Sequence, residues 1–200
     1  MIITSLRRRA AAAALCLTAV LATTTATPAT AAPAPKDCSV QYDDPIKAAV
    51  ERVDVSRITP APVWRKTCGT LYRADGRGPE IVFNEGFKPK DVNGQYDIEK
   101  YVLVNQPSPY VSTTYDHDLY KTWWKSGWNY YIDAPGGVDV NKTIGDTHKW
   151  ADQVEVAFPG GIDRKYVIGV CPVNKNTKVE IMSGCQSNPH FEAWHGVIQR

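Results

Sequence analysis

Metal-ligand spacing is the first thing this sequence lacks. It has no Cys-x-x-Cys, and His117, His148, His190 and His195 are scattered, so the pattern that structural zinc needs is missing and no metal is expected. Charge of one sign is also scarce, with 23 Lys plus Arg against 21 Asp plus Glu. No internal repeat and no low-complexity tract occurs beyond the N-terminal region, which excludes solenoid and collagen-like designs. Long apolar runs are nearly absent too. The one candidate, Ala10 to Leu21, covers about twelve residues, short of the roughly 20 that span a bilayer as a helix. What remains is 43% apolar and 22% charged, which excludes intrinsic disorder, in a length that suits one globular domain.

That apolar run follows Arg7, Arg8 and Arg9 and precedes Ala29-Thr30-Ala31, a small-x-small cleavage site. Residues 1–31 therefore read as a secretory signal peptide, with residues 32–200 the secreted domain and no membrane anchor. The formal net charge of +2 suggests a taste for polyanions. Cleavage, however, removes three arginines and no acid, leaving 20 Lys plus Arg against 21 Asp plus Glu, a net charge of −1. Cys16 leaves with the signal, and Cys38, Cys68, Cys171 and Cys185 remain. An even count in an exported chain predicts two disulfides, with three possible connectivities. Pairing Cys38 with Cys68 and Cys171 with Cys185 is preferred because each closes a local loop.

Along the chain, Asp44-Pro45 offers a cap and first-turn proline for a short helix through Val53. Gly69 to Arg73 is extended, and Gly76 to Gly86 is loop plus a short element. Asp97 caps a helix through Leu103. Tyr110 to Thr114 reads as a strand, Asp116 to Lys125 as a helix stopped at Gly127, and Asp152 to Phe158, Lys165 to Val173 and Thr177 to Met182 as strands. Short helices early and strands late give an α+β domain.

Four groups of residues could carry chemistry. In Gln153-Val154-Glu155-Val156-Ala157-Phe158 a period of two puts Gln153 and Glu155 on one face, opposite Val154, Val156 and Phe158. An amide beside a carboxylate can hold a hydroxyl and stabilise a developing cation, although exposed strand faces also carry such residues. Arg73 and Arg77 flank Asp75 and offer fork-shaped donors suited to a diphosphate, or a plain surface salt bridge. Ser112 and Thr114 share a strand face. Tyr115, Tyr120, Trp123, Trp124, Trp128, Tyr130 and Tyr131, with Trp150 later, divide between core and a stacking platform for a base or sugar.

The order of these groups resembles the cholera-toxin-like branch of the mono-ADP-ribosyltransferases, and within it the pierisin-like, scabin-type group of secreted Streptomyces enzymes that modify guanine. Tyr72-Arg73-Ala74-Asp75-Gly76-Arg77-Gly78-Pro79 looks like the family's arginine motif, and Phe83 to Phe87 like the segment after it. Val111-Ser112-Thr113-Thr114 stands where the family has Ser-Thr-Ser, with Thr114 keeping the final hydroxyl. Trp150-Ala151-Asp152-Gln153-Val154-Glu155 matches its substrate-recognition turn and catalytic strand. The likeness runs from about Cys38 to the end.

The resemblance implies two packed β-sheets with short helices around a cleft for NAD, the co-substrate. Arg73 would anchor the NAD phosphates or ribose, with Asp75 and Arg77 assisting near the adenosine half. Ser112 would hold the cleft together and orient the ribose or the glutamate, and Asn105 and Trp123 would line the nicotinamide pocket. Glu155 would bond the ribose 2′-hydroxyl and stabilise the oxocarbenium ion. Gln153 would position the nucleophile, and Trp150 would stack on the base or shape its pocket. Arginine-modifying relatives carry a second glutamate at the Gln153 position; an amide donates and accepts, which suits the edge of guanine. The implied activity is that of a monomeric toxin moving ADP-ribose from NAD to the exocyclic amine of guanine, in DNA or in guanine nucleosides and nucleotides. A secreted NAD glycohydrolase would use the same cleft with water as acceptor. A carbohydrate-binding module would explain the tryptophans alone.

Overall fold

A computed structural model describes residues 44–194 and the backbone of Lys36–Asp37. The expected signal peptide and Cys38 lie outside the described residues. In chain order the strands are β1 (Lys36–Asp37), β2 (Thr67–Cys68), β3 (Leu71–Asp75), β4 (Tyr110–Thr114), β5 (Trp128–Ile132), β6 (Val138–Asp139), β7 (Glu155–Pro159), β8 (Val167–Asn174), β9 (Val179–Glu180) and β10 (Gln186–Ser187). The helices are α1 (Pro79–Glu85), α2 (Ile98–Val104) and α3 (Val140–Ile144). β1 pairs with β2, and the others run antiparallel in the order β10-β8-β5-β3-β4-β7-β6, with β9 added at β8.

Local chemistry accounts for the helices. α1 begins at a proline, whose missing N–H costs nothing in a first turn. α2 and α3 start where the carboxylates of Asp97 and Asp139 accept from the backbone N–H three residues on. α2 stops at Asn105, which adopts a left-handed conformation with φ of 53°, tolerated by asparagine better than by most side chains.

Two expected helices do not form. Asp44 caps only a turn over residues 45–48, its carboxylate accepting from Ile46 N–H at 3.0 Å. The segment expected as a helix from Asp116 to Lys125 is two short 3-10 turns, His117–Lys121 and Trp124–Ser126. The bulky Trp123-Trp124 pair and the left-handed Gly127 break the α-repeat there. The strand expected from Asp152 begins only at Glu155, because Ala151–Gln153 is a 3-10 turn. β5 lay hidden in the sequence as part of an aromatic cluster.

The sheet is nearly severed in its middle. β3 and β5 stay in register over five residue pairs, as do β4 and β7, but β3 and β4 meet only at Tyr72 and Thr114. The strands part beyond that pair, and a cleft opens. Cross-strand partners share a face, so Asn129, Tyr131, Tyr72, Ala74, Thr114, Ser112, Glu155 and Ala157 lie on one side of the sheet. The other side carries Leu71, Val111, Tyr130, Ile132, Val156 and Phe158 in a core with Val82 and Phe83 of α1 and with Phe87. A second apolar cluster, around Ile98, Tyr101 and Val102 of α2, Tyr110, Val140 and Ala157, closes the cleft side. β7 is consequently buried on both faces.

A disulfide joins Cys171 to Cys185 across 14 residues; by loop-closure arithmetic it adds about 3 kcal/mol. Cys68 is disulfide-bonded as well. No helix among the described residues is long and apolar enough to cross a membrane.

Candidate active site

Glu155 stands at the first residue of β7, opposite Thr114, at the floor of a cavity of about 390 Å³. The size is typical of small-molecule sites. Arg73, Asn105, Ser112, Trp123, Trp150, Gln153 and Glu155 all line it, although they come from six separate segments. Asp75 and Arg77 do not line it; they stand behind Arg73.

The Glu155 side chain is 8% exposed. Burial pushes its carboxyl above the usual range, and the hydroxyls of Ser112 and Tyr101 and the charge of Arg73 only partly oppose that. Although both hydroxyls favour the ionised form, Oε1 has no hydrogen-bond partner among the described residues. An unpaired buried acceptor costs free energy, and a ligand group that donates to it recovers that cost. The carboxylate thus offers a free acceptor to a donor entering the cavity.

Arg73 occupies the gap where β3 and β4 part. Its Nη1 donates to the Ser112 carbonyl at 2.7 Å, standing in for a missing ladder bond. Its Nε donates to Asp75 Oδ2 at 2.9 Å. Arg77 grips the same carboxylate with Nε on Oδ1 at 2.9 Å and Nη2 on Oδ2 at 2.8 Å. Phe87 lies 5.4 Å and 5.2 Å from the two guanidinium carbons. Burial alone would raise the Asp75 carboxyl, but the hydrogen bonds from Arg77 and the charge of Arg73 overcome it and hold the group well below the usual carboxylate range. Asp75 and Arg77 therefore set the Arg73 guanidinium.

Gln153 and Glu155 do come together, but not through the pleat of one strand. Gln153 ends the 3-10 turn, and Val154 takes φ of 41°, a strained left-handed conformation that β-branched residues rarely adopt. The turn is fastened at both ends. Thr114 Oγ1 donates to the Gln153 carbonyl at 2.6 Å. At the other end Asn141 of α3 donates through Nδ2 to the Ala151 carbonyl at 2.8 Å, while its Oδ1 lies 3.0 Å from His148 Nε2. Trp150 N–H reaches His148 Nδ1 at 3.4 Å. Above this turn Trp150 is 38% exposed, and across the mouth Trp123 is 49% exposed.

Sequence reasoning missed Tyr101, Tyr72, Lys90, Leu119 and Asn129, which also line the cavity, as does Tyr120 of the aromatic group. Tyr101 was recoverable: it precedes Asn105 by one helical turn, so the two share a face of α2. Its phenol is raised well above the ordinary value, first by burial and then by the Glu155 charge, so it remains a donor. Tyr72 and Asn129 are legible only from the sheet order.

Residues 71–191 match the family model described as Scabin-like. The chain is 78% identical over 157 residues to a guanine-specific ADP-ribosyl transferase of Streptomyces coelicolor, covering 78% of this chain and 77% of that protein. It is 41% identical over 110 residues to pierisin of Pieris brassicae, covering 48% of this chain but 13% of pierisin. Its fold superposes with a TM-score of 0.78 and 74% identity on the Scabin toxin from Streptomyces scabies in complex with NADH, covering 81% of this chain and 99% of that one. A buried glutamate beside a turn-borne glutamine, braced by an arginine across two parting strands, thus accompanies the sequence match, and the chain belongs to the Scabin-like family.

Proposed function

We propose that this chain is an ADP-ribosyltransferase that moves ADP-ribose from NAD to the exocyclic amine of guanine, in DNA or in free guanine nucleosides and nucleotides, and releases nicotinamide. The observation that carries the reading is Glu155: a buried carboxylate with a free lone pair, in a cavity that it shares with Gln153. Family membership supplies the chemistry.

In this reading Glu155 accepts a hydrogen bond from the 2′-hydroxyl of the nicotinamide ribose. Its negative charge then stabilises the positive charge that grows at the anomeric carbon as the bond to nicotinamide lengthens. Low polarity around the carboxylate strengthens that attraction. Arg73 holds the phosphates or a ribose of NAD, positioned by Asp75 and Arg77. Ser112 and Tyr101 orient Glu155, and Asn105 and Trp123 flank the nicotinamide. Gln153 accepts from the guanine amine while donating to an acceptor on the same base edge, and Trp150 stacks on the ring. The amine nitrogen forms the new C–N bond and releases its proton to water, while the electron pair of the broken glycosidic bond leaves with neutral nicotinamide.

Export through the N-terminal 31 residues, a Cys38–Cys68 disulfide beside Cys171–Cys185, two sheets meeting at β3 and β4, and a monomeric state complete the proposal. The test is incubation with NAD and guanosine, GMP or an oligonucleotide, followed by mass analysis. An added ADP-ribose on guanine is expected. Nicotinamide release with free ADP-ribose and no labelled guanine in any arm would instead identify a glycohydrolase. In the same assay Gln153→Glu should reduce guanine labelling more than NAD hydrolysis; equal losses would refute a base-reading role.

A further inference from the structure

Of the three buried side-chain polar atoms left without a hydrogen-bond partner among the described residues, two belong to residues that line the cavity: Glu155 Oε1 and Asn129 Oδ1. The first has a use in the proposed reaction. The second has none, although Asn129 is 1% exposed and a buried acceptor without a donor is costly.

A buried carboxylate outside the proposed reaction settles which way this amide faces. Glu180 lies on β9 with its side chain 5% exposed. Tyr131 O–H stands 2.9 Å from each of its oxygens, His117 Nε2 is 3.2 Å from Oε2, and Asn129 donates through Nδ2 to Oε1 at 2.8 Å. A carboxylate only accepts, so Nδ2 must face Glu180 and Oδ1 must face away from it. Turning the amide over would set oxygen against oxygen. Glu180 is itself tied to the cavity wall, where its N–H reaches Tyr120 Oη at 3.4 Å.

The place of Asn129 in the sheet says what can donate to it. β7, β4, β3 and β5 are successive neighbours, so Glu155 on β7 and Asn129 on β5 are three strand spacings apart, about 14 Å along the sheet. Arg73 belongs to the intervening β3. A dinucleotide whose nicotinamide ribose meets Glu155 and whose phosphates meet Arg73 reaches β5 only with its second nucleoside. The cavity wall on that side carries Tyr72, Leu119 and Tyr120. His117 and Tyr131 hold the Tyr72 ring edge-on, at centroid distances of 4.9 and 5.3 Å. An aromatic and apolar wall with one fixed acceptor suits a purine nucleoside.

We propose that Asn129 Oδ1 accepts a hydrogen bond from the adenosine half of NAD, given by the adenine amine or a ribose hydroxyl, and that Glu180 is the positioning residue that holds the Asn129 amide for it. This rests on the guanine-transfer reading and extends it from the reacting ribose to the far end of the co-substrate.

The experiment titrates NADH, whose reduced ring is no leaving group. It also measures kcat/KM for nicotinamide release from NAD and from nicotinamide mononucleotide, which keeps the reacting ribose and lacks the adenosine. In Asn129→Leu the Kd for NADH should rise about three- to tenfold, as loss of one hydrogen bond allows, and the ratio of kcat/KM for NAD to that for the mononucleotide should fall by about the same factor. Glu180→Gln frees the amide to turn and should shift both in the same direction by less. Asn129→Asp sets two carboxylates together and should weaken NADH binding, whereas Asn129→Asp with Glu180→Gln again pairs one donor with one acceptor and should restore the Kd to within about twofold of wild type. A merely structural role for Glu180 predicts no such rescue. Nicotinamide hypoxanthine dinucleotide, which lacks the adenine amine, names the donor: a lower kcat/KM than for NAD in the wild type, absent in Asn129→Leu, assigns the amine, and no difference assigns a ribose hydroxyl. An unchanged Kd for NADH in Asn129→Leu overturns the proposal, as do equal losses on NAD and the mononucleotide. A wild type that labels no guanine in any acceptor would instead defeat the guanine-transfer reading, while the NADH titration still decides the role of Asn129.

Discussion

Replacing Asp75 by asparagine tests whether Arg73 is placed by its neighbours. The Asp75 carboxylate is 7% exposed and takes four hydrogen bonds: from Arg73 Nε, and from the backbone N–H, Nε and Nη2 of Arg77. An amide keeps the shape but removes the charge and turns one acceptor into a donor facing a guanidinium. Breaking a buried pair costs about 3–5 kcal/mol. Arg73 and Arg77 remain 24% and 35% exposed, so they recover some hydration and about 3 kcal/mol is the better figure. For a domain of this size that lowers Tm by about 6–12 °C. The Asp75 pKa is depressed by folding, so its stabilisation is present above the unfolded value near 4 and is lost as pH falls through the folded one. The gap between wild type and variant should therefore be constant from about pH 5 to 8 and shrink below about pH 4. Affinity for NAD should fall with Tm, since Arg73 loses its brace. Calorimetry across pH and NAD titration by tryptophan quenching read both effects. A Tm within about 2 °C of wild type at pH 7, or unaltered NAD affinity, would refute the reasoning.

Glu155→Gln should abolish transfer and yet raise Tm in the absence of ligand by about 2–6 °C at pH 7–8, because it removes a buried charge with an unpaired oxygen. Folding raises the Glu155 pKa, so its protonated form is the stabilising one; the gain should vanish near pH 4, and a destabilised variant at pH 7 would count against the burial argument. Asn141→Asp can still accept from His148 but cannot donate to the Ala151 carbonyl. Guanine transfer should then drop about tenfold while NAD hydrolysis drops less than threefold, as loss of a single hydrogen bond allows. Equal losses in the two assays would show that Asn141 does not position the Trp150–Gln153 turn.

Much of the site was legible before the fold was known. Arg73, Ser112, Gln153 and Glu155 announce themselves because each sits in a short motif whose neighbours are local: the Asp75-centred turn, the β4 hydroxyls, the turn before β7. Asp97 and Asn105 likewise bracket α2 through bonds made within a few residues. The same local logic misjudged residues 116–125, where helical spacing of Leu119, Tyr120, Trp123 and Trp124 is real but the turns that form are 3-10. It also paired Gln153 with Glu155 through a pleat, when a strained Val154 does so.

By itself the sequence determined the chemistry: which side chains are acids, amides and guanidiniums, and the family order in which they occur; it only preferred the Cys171–Cys185 pairing that the fold makes. Tertiary structure decided what that chemistry can act upon. Only the parting of β3 from β4 after one registered pair makes a cleft and gives Arg73 a gap to bridge. Only the packing of α2 against that cleft buries Glu155, raising its pKa and leaving its oxygen free. Only the meeting of two distant turns brings Lys125 and Lys178 to the Trp124 ring. Composition and motif are properties of neighbours along the chain, whereas burial, register and charge proximity depend on residues that the chain brings together from afar.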